Sequence, residues 1–126
     1  MRVLLINPPS MGMFKLLGLD LPPLGLLYVA GYLEAHGVDV HVKDLNIARR
    51  GETPIRFQDY DVVGIGTDTT RYLQAQKIAE QAKKQGAIVV MGGPHPYYVA
   101  EEILRTRVVD YVVRGEGEET MLELIQ

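Results

Sequence analysis

Apolar residues in this chain fall into short blocks, and the switch between continuous, alternating and helical spacing sets the expected order of elements. Val3 to Ile6 is apolar without interruption, which suits a strand covered on both faces. In "PPLGLLYVAGYLEAHG" the positions Leu26, Val29, Ala30 and Leu33 recur at helical spacing, with Gly37 placed as the C-terminal cap. "VDVHVK" alternates Val38, Val40 and Val42 against Asp39, His41 and Lys43, and reads as a half-exposed strand at a sheet edge. In the irregular "DLNIARRGETPIRFQDYD", Thr53 and Pro54 are read as the N-cap and first residue of a short helix. "VVGIGT" (Val62–Thr67) is a third strand, and the helix after it puts Ala75, Ile78, Ala79 and Ala82 on one face and stops at Gly86. "AIVVM" is the fourth strand, followed by "GGPHPYY" and a helix around Val99–Arg105. "YVVR" is the fifth, leading through "GEGEE" into a last helix that still runs at Gln126.

Strands alternating with helices imply right-handed crossovers and a parallel sheet. Five such units with the second strand at an edge predict one α/β domain over residues 1–126, a flavodoxin-like (Rossmann-like), doubly wound sheet of order 2-1-3-4-5. Ligands of such sheets sit beyond the carboxyl ends of the strands, near the point where the order reverses. The loops there are Asn7–Pro23, Thr67–Thr70, Gly92–Tyr98 and Gly115–Glu118. Gly64 and Gly66 fall inside the third strand, where glycine permits close approach of a neighbour.

Charge and composition narrow the choice of ligand. A net charge of −3 without a Lys/Arg cluster argues against nucleic acid or an anionic membrane as the main partner. No apolar run approaches the roughly 18 residues of a membrane span, and no basic segment leads into a signal-like one, so a cytoplasmic protein is expected. The absence of cysteine removes disulfides, zinc–thiolate sites, iron–sulfur clusters and cysteine nucleophiles from this chain. No Gly-x-x-x-x-Gly-Lys-Ser/Thr run exists, and "GEGEET" lacks the third glycine of a dinucleotide fingerprint. "NPPSMG" carries two prolines without N–H donors, unlike a loop that wraps a flavin phosphate. The acidic pair and lysine of a response-regulator receiver are replaced by Asn7 and Arg114.

The first loop does match another pattern. Asn7 to Gly12 stands where the cobalamin-binding signature Asp-x-His-x-x-Gly follows a first strand, with Asn7 for the Asp, Pro9 for the His, and Gly12 kept. "GTDTT" follows the third strand and Gly92-Gly93 the fourth, with "PPLGL", "GGPHP" and "VVRGEGEE" completing the set. In this order the whole chain resembles the N-terminal cobalamin-binding domain of cobalamin-dependent radical SAM enzymes, among them anaerobic magnesium-protoporphyrin ester cyclases and radical SAM methyltransferases. The resemblance implies a cobalamin site built from Asn7, Pro8, Pro9, Ser10, Met11, Gly12, Leu21 and Pro23, from Thr67, Asp68, Thr69 and Thr70, from Gly92, Gly93, Pro94 and His95, and from Gly115, Glu116, Gly117 and Glu118. Gly12, Gly92 and Gly93 would let the nucleotide tail approach the backbone, and Asn7, Ser10, Thr67, Thr69 and Thr70 would satisfy its polar atoms. Phe14, Leu16, Leu17, Leu19 and Leu21 would flank the corrin ring. Gly93→Val is therefore expected to block the tail and leave the fold largely intact. Proline cannot ligate cobalt, so Pro9 implies that this loop supplies no histidine to the lower face.

Radical SAM chemistry requires a Cys-x-x-x-Cys-x-x-Cys site, so this chain is not expected to be catalytic alone. S-adenosylmethionine and a 4Fe-4S cluster would belong to a C-terminal radical SAM domain of the same parent chain, towards which the uncapped last helix is expected to lead. Several residues keep two readings. His95 is either a cobalt ligand or, between Pro94 and Pro96, a residue that shapes its loop or meets the corrin periphery. His41 reads as solvated and His36 as a last-turn helix residue. Tyr97 and Tyr98 either stack near a cofactor or pack; Asp68 either bonds a ligand or caps the following helix. Glu116, Glu118 and Glu119 are acids or simply favour a helix N-terminus. The competing class is a cofactor-free flavodoxin-like regulatory or protein-interaction domain, with the leucine-rich loop docked on a partner.

Overall fold

The computed structural model describes residues 1–9, 24–45, 54–67, 71–113 and 117–125. Five strands, β1 (Arg2–Asn7), β2 (Asp39–Asp44), β3 (Val62–Gly66), β4 (Ile88–Gly92) and β5 (Tyr111–Val113), alternate with the helices α1 (Leu24–Ala35), α2 (Tyr72–Lys84), α3 (Pro94–Arg105) and α4 (Glu118–Ile125). Every pairing is parallel and the strand order is β2-β1-β3-β4-β5, the flavodoxin-like arrangement. The crossovers cover both sheet faces, which is why β1, β3 and β4 are nearly continuous apolar runs.

The period of two along each strand sorts the core into two halves. Leu4, Ile6, Val63, Ile65, Val89 and Met91 pack with Ala75, Ala79 and Ala82 of α2 and Ile103 of α3. Val3, Leu5, Val62, Val90 and Val113 pack on the other face with Ala30 and Leu33 of α1 and Met121 of α4. The three fully buried alanines bring α2 close to the sheet, as their spacing predicts. α1 and α2 end alike: Gly37 (φ 82°) and Gly86 (φ 91°) adopt the left-handed conformation, and the N–H groups of Val38 and Ala87 bond back to Leu33 and Ala82. This paired closure satisfies helix carbonyls that would otherwise be bare. Asp110 locks the start of β5 to β4: its carboxylate accepts the Val89 N–H at 2.8 Å and meets the Lys83 Nζ at 2.6 Å, while its own N–H donates to the Val89 carbonyl.

Three expectations are corrected. Pro94 to Tyr98 do not form a loop before a helix at Val99; α3 begins immediately after Gly93. Prolines fit there because the first N–H groups of a helix need no intrahelical acceptor. Pro94 and His95 therefore belong to a first helical turn. The short helix expected from Pro54 is instead a 3-10 turn at Phe57–Asp59, with Arg56 in extended conformation before it; Thr53 lies outside the described residues. The edge position of β2 holds, but His41 is not simply solvated. Its Nδ1 is 2.8 Å from the Tyr60 hydroxyl, its ring packs edge-on against Tyr60, and its Nε2 lies 3.4 Å from Asp39. Among the described residues no helix is long and apolar enough to cross a membrane.

Candidate functional site

β3 carries glycine at alternate positions, so beyond Val62 one face of the central strand, at Gly64 and Gly66, is without side chains. Leu5 and Val90 flank Gly64 in register, and Gly92 lies beside Gly66. Two helices cover this face, α1 and α4, and between them a cleft of about 760 Å³ runs over the bare strand. That size falls in the range of small-molecule sites, roughly 300–1,000 Å³. The deep walls are apolar, formed by Leu5, Leu26, Val29, Val90, Val113 and Met121. Polar groups gather at the carboxyl ends of the strands, where Asn7, Thr67 and Arg71 border the mouth and Glu118 begins α4.

The glycines of the cleft divide by what a side chain would meet. A Cβ on Gly64 would stand 2.7 Å from Leu5 Cδ2, so protein packing already fills that space. This is the close approach expected from the sequence. A Cβ on Gly66 would find Leu26 Cδ1 at 3.6 Å, one on Gly92 would find the Val113 carbonyl oxygen at 3.6 Å, and one on Gly117 would find Val29 and Val113 at 3.6 Å. These are ordinary contacts, and none of the three glycines has a positive φ. Neither packing nor backbone conformation requires glycine at 66, 92 or 117, and a side chain at any of them would narrow the cleft. The fold thus keeps a trough open at sites where it has room for more atoms.

Gly93 is different. Its φ is 115°, and a Cβ would lie 2.2 Å from the Thr67 carbonyl oxygen and 3.0 Å from the Thr67 nitrogen. The Thr67 N–H donates to the Gly92 carbonyl at 2.9 Å. Gly93 is therefore dictated by the approach of the β3 and β4 ends to each other. The expectation that Gly93→Val spares the fold is corrected, because valine would collide with backbone.

At the mouth, three side chains form a chain of hydrogen bonds. The Arg71 Nη1 donates to Asn7 Oδ1 at 2.9 Å, and Asn7 Nδ2 donates to Asp44 Oδ1 at 3.0 Å. Asn7 is only 5% exposed and uses both ends of its amide here. The residue taken from the sequence as a substitute for Asp is thus a neutral link between a carboxylate and a guanidinium. Arg71 occupies the N-cap of α2 but makes no capping bond. α2 packs on the opposite sheet face, so the Arg71 side chain reaches over the crest of the sheet into the cleft.

Of the residues named from the sequence, Asn7, Thr67, Gly92, Gly93, Gly117 and Glu118 come together around the cleft. Pro8 is fully buried and Pro9 partly buried, and neither borders it. Ser10, Met11, Gly12, Leu21, Pro23, Asp68, Thr69, Thr70, Gly115 and Glu116 lie outside the described residues, as do Phe14, Leu16, Leu17 and Leu19. Arg71 was missed. A signal existed: a cation is electrostatically unfavourable and a poor cap at a helix N-terminus, so its presence there called for another purpose. The apolar walls were read only as core, which their spacing cannot distinguish from a lining. Among the described residues no three His, Asp or Glu side chains are grouped to hold a metal ion.

The five-stranded parallel fold that carries this cleft is similar to known proteins. Over 79% of this chain and 80% of the other, the fold superimposes with a TM-score of 0.54 on the N-terminal domain of a hypothetical protein from Thermotoga maritima, at 22% identity. The chain is 38% identical to an uncharacterized methyltransferase of Pyrococcus horikoshii over 99% of its own length, and 33% identical to the anaerobic magnesium-protoporphyrin IX monomethyl ester cyclase of Rubrivivax gelatinosus, again over 99%. It spans 29% and 24% of the lengths of those two relatives. The B12 binding domain family matches residues 13–125, and with the parallel 2-1-3-4-5 sheet this establishes that the chain belongs to the B12-binding domain family.

Proposed function

We propose that this chain is the cobalamin-holding module of a larger cobalamin-dependent radical SAM enzyme, and that its cleft takes the nucleotide tail. The observation that carries the reading is the trough over β3, kept open by Gly66, Gly92 and Gly117 although the protein itself has room for a Cβ at each. A flat heteroaromatic base suits a slot walled by Leu26, Val29, Val113 and Met121, where its burial is driven by apolar contact. Asn7 and Thr67 at the mouth would orient the polar part of the tail, and Glu118 would accept hydrogen bonds from amide groups near α4. When bound, cobalamin supplies a cobalt centre able to carry a methyl group or to take part in oxidation.

The chain's own part is to bind and orient. Pro9 stands at the position of the ligating histidine in the resembled signature, so the reading has cobalamin held without a histidine from the first loop. The similarity to a methyltransferase and an ester cyclase, each more than three times longer, supports a following catalytic domain in the parent chain. S-adenosylmethionine and a 4Fe-4S cluster would reside there, since this chain contains no cysteine.

Titration of the purified chain with hydroxocobalamin, followed by gel filtration and visible spectroscopy, tests the reading. Co-elution of pigment with a spectrum lacking a nitrogen lower ligand is expected. A histidine-ligated spectrum would keep the module and refute the Pro9 argument, turning attention to His95. Pigment that does not co-elute with this chain, or with a chain extended by its following domain, would overturn the reading in favour of a protein-interaction domain.

A further inference from the structure

We infer that the outward face of α1 is the surface on which the following domain of the parent chain docks. The inference rests on the reading of this chain as a module of a longer enzyme, and adds where the two parts meet. α1 is apolar on every side: in LGLLYVAGYLEA the charged residue is Glu34 alone. Leu26, Val29, Ala30 and Leu33 turn to the sheet and the cleft, which accounts for one face. At helical spacing Leu27, Tyr28, Gly31 and Ala35 fall on the opposite side, and all four are exposed, Leu27 by 44% and Tyr28 by 67%. A helix whose outer side meets water carries charged residues there, as α2 does with Lys77, Glu80 and Lys84. One that is apolar all round is covered on both sides.

Gly31 adds a second observation. It stands inside the helix, its φ is not positive, and a Cβ there would meet nothing within 4 Å. Glycine weakens a helix interior, and the described fold draws no benefit from it at this position. Backbone of a partner crossing the helix at that point would use the missing side chain. Leu27 and Tyr28 flank the gap as an aliphatic and an aromatic anchor, with charge only at Glu34 on the border, the composition of an interface centre. The occupant follows from chain length and path. This chain spans 29% and 24% of its two longer relatives, so a parent of that size places most of its residues outside this domain. α4 packs beside α1. Both helices follow strands of one parallel sheet on the same face, so they run in the same direction. Polypeptide continuing from α4 therefore emerges beside the Ala35 end of the exposed face.

The chain has no cysteine, so single introduced thiols report this surface cleanly. Gly31→Cys and Leu27→Cys on α1, with Glu80→Cys on the exposed side of α2 as control, are made in this chain alone and in the chain extended by its following domain. Alkylation by iodoacetamide is followed by peptide mass spectrometry, which separates these thiols from any in the added domain, and thermal melts check each fold. The rate at Gly31→Cys is expected to fall at least about tenfold in the extended chain, and at Glu80→Cys less than about twofold. Leu27→Cys should follow Gly31→Cys, and it carries the test should the latter not fold. Gly31→Leu should raise the melting temperature of the chain alone by about 3–5 °C through better helix propensity. In the extended chain the same substitution should return Leu27→Cys to its unprotected rate. Equal rates in the two chains overturn the inference, as does equal protection of the α2 site. Protection already present in the chain alone, and growing with its concentration, gives the face to a second copy and overturns it too. Hydroxocobalamin is titrated onto the same samples to keep the two readings apart. Retained pigment with equal rates leaves the cobalamin reading in place without the docking surface, and protection without retained pigment does the reverse.

Discussion

Replacing Gly66 by valine separates the stability of the fold from occupancy of the cleft. The position is in the central strand, its φ is not left-handed, and its Cβ would meet only the end of the Leu26 side chain at 3.6 Å. Removing a strand glycine recovers about 0.5–1 kcal/mol through the unfolded chain. Partial burial of the new methyl groups against Leu26 adds up to about 1 kcal/mol more. The unliganded variant should therefore be more stable by about 1–2 kcal/mol, a rise in melting temperature of about 3–8 °C for a chain of this size. The same methyl groups occupy the trough proposed for the nucleotide base. Overpacking of a filled site costs about 1–3 kcal/mol, which weakens binding by roughly 5- to 150-fold. Differential scanning fluorimetry without ligand and a visible-absorption titration with hydroxocobalamin read the two effects independently. Raised stability with unchanged affinity would refute the placement of the base over β3. A lowered melting temperature would refute the claim that the fold itself has room at this site.

Gly93→Ala should cost about 2–4 kcal/mol from left-handed strain and collision with the Thr67 carbonyl, so unliganded melts will show a fold defect; a wild-type melting curve would contradict the contact. Asp110→Ala removes the acceptor for the Val89 N–H and the partner of Lys83, which is 40% exposed, so a loss of about 1–2 kcal/mol is expected by urea denaturation. Tyr72 is raised above its ordinary 10.0 by burial first and by the Glu102 carboxylate second. The neutral phenol is favoured in the folded state, so this contribution is intact below pH 10 and is lost as pH rises further and the unfolded chain ionises. Tyr72→Phe should flatten the alkaline limb of a stability profile measured from pH 8 to 11, and an unchanged slope would count against the assignment.

Much of this protein was legible in its sequence because the relevant information is local. Continuous apolar runs marked strands covered on both faces, the 3.6 period marked the α1 and α2 faces, and Gly37 and Gly86 marked their ends. A parallel βα alternation with an amphipathic second strand leaves few topologies, and 2-1-3-4-5 is among them. Loop residues at the strand ends follow from that topology, which is why Asn7, Thr67, Gly92 and Glu118 are legible as site residues in the sequence. The start of α3 was not legible, because Pro94 and Pro96 signal a turn to any local reading and are equally at home in a first helical turn.

What the tertiary structure decided concerns distances between elements remote in sequence. Leu26, Val113 and Met121 carry the pattern of ordinary core, and only the relative placement of α1 and α4 turned them into the walls of a cleft. Gly93 and Gly66 look alike in the sequence, yet one is required by the Thr67 backbone and the other leaves a space the protein does not need. The link from Asp44 through Asn7 to Arg71 spans three elements, and its residues are 37 and 64 positions apart. Hydrophobic period reports which face of an element is buried; it carries no information about whether that face meets protein or ligand. That distinction exists only once the chain is closed in three dimensions.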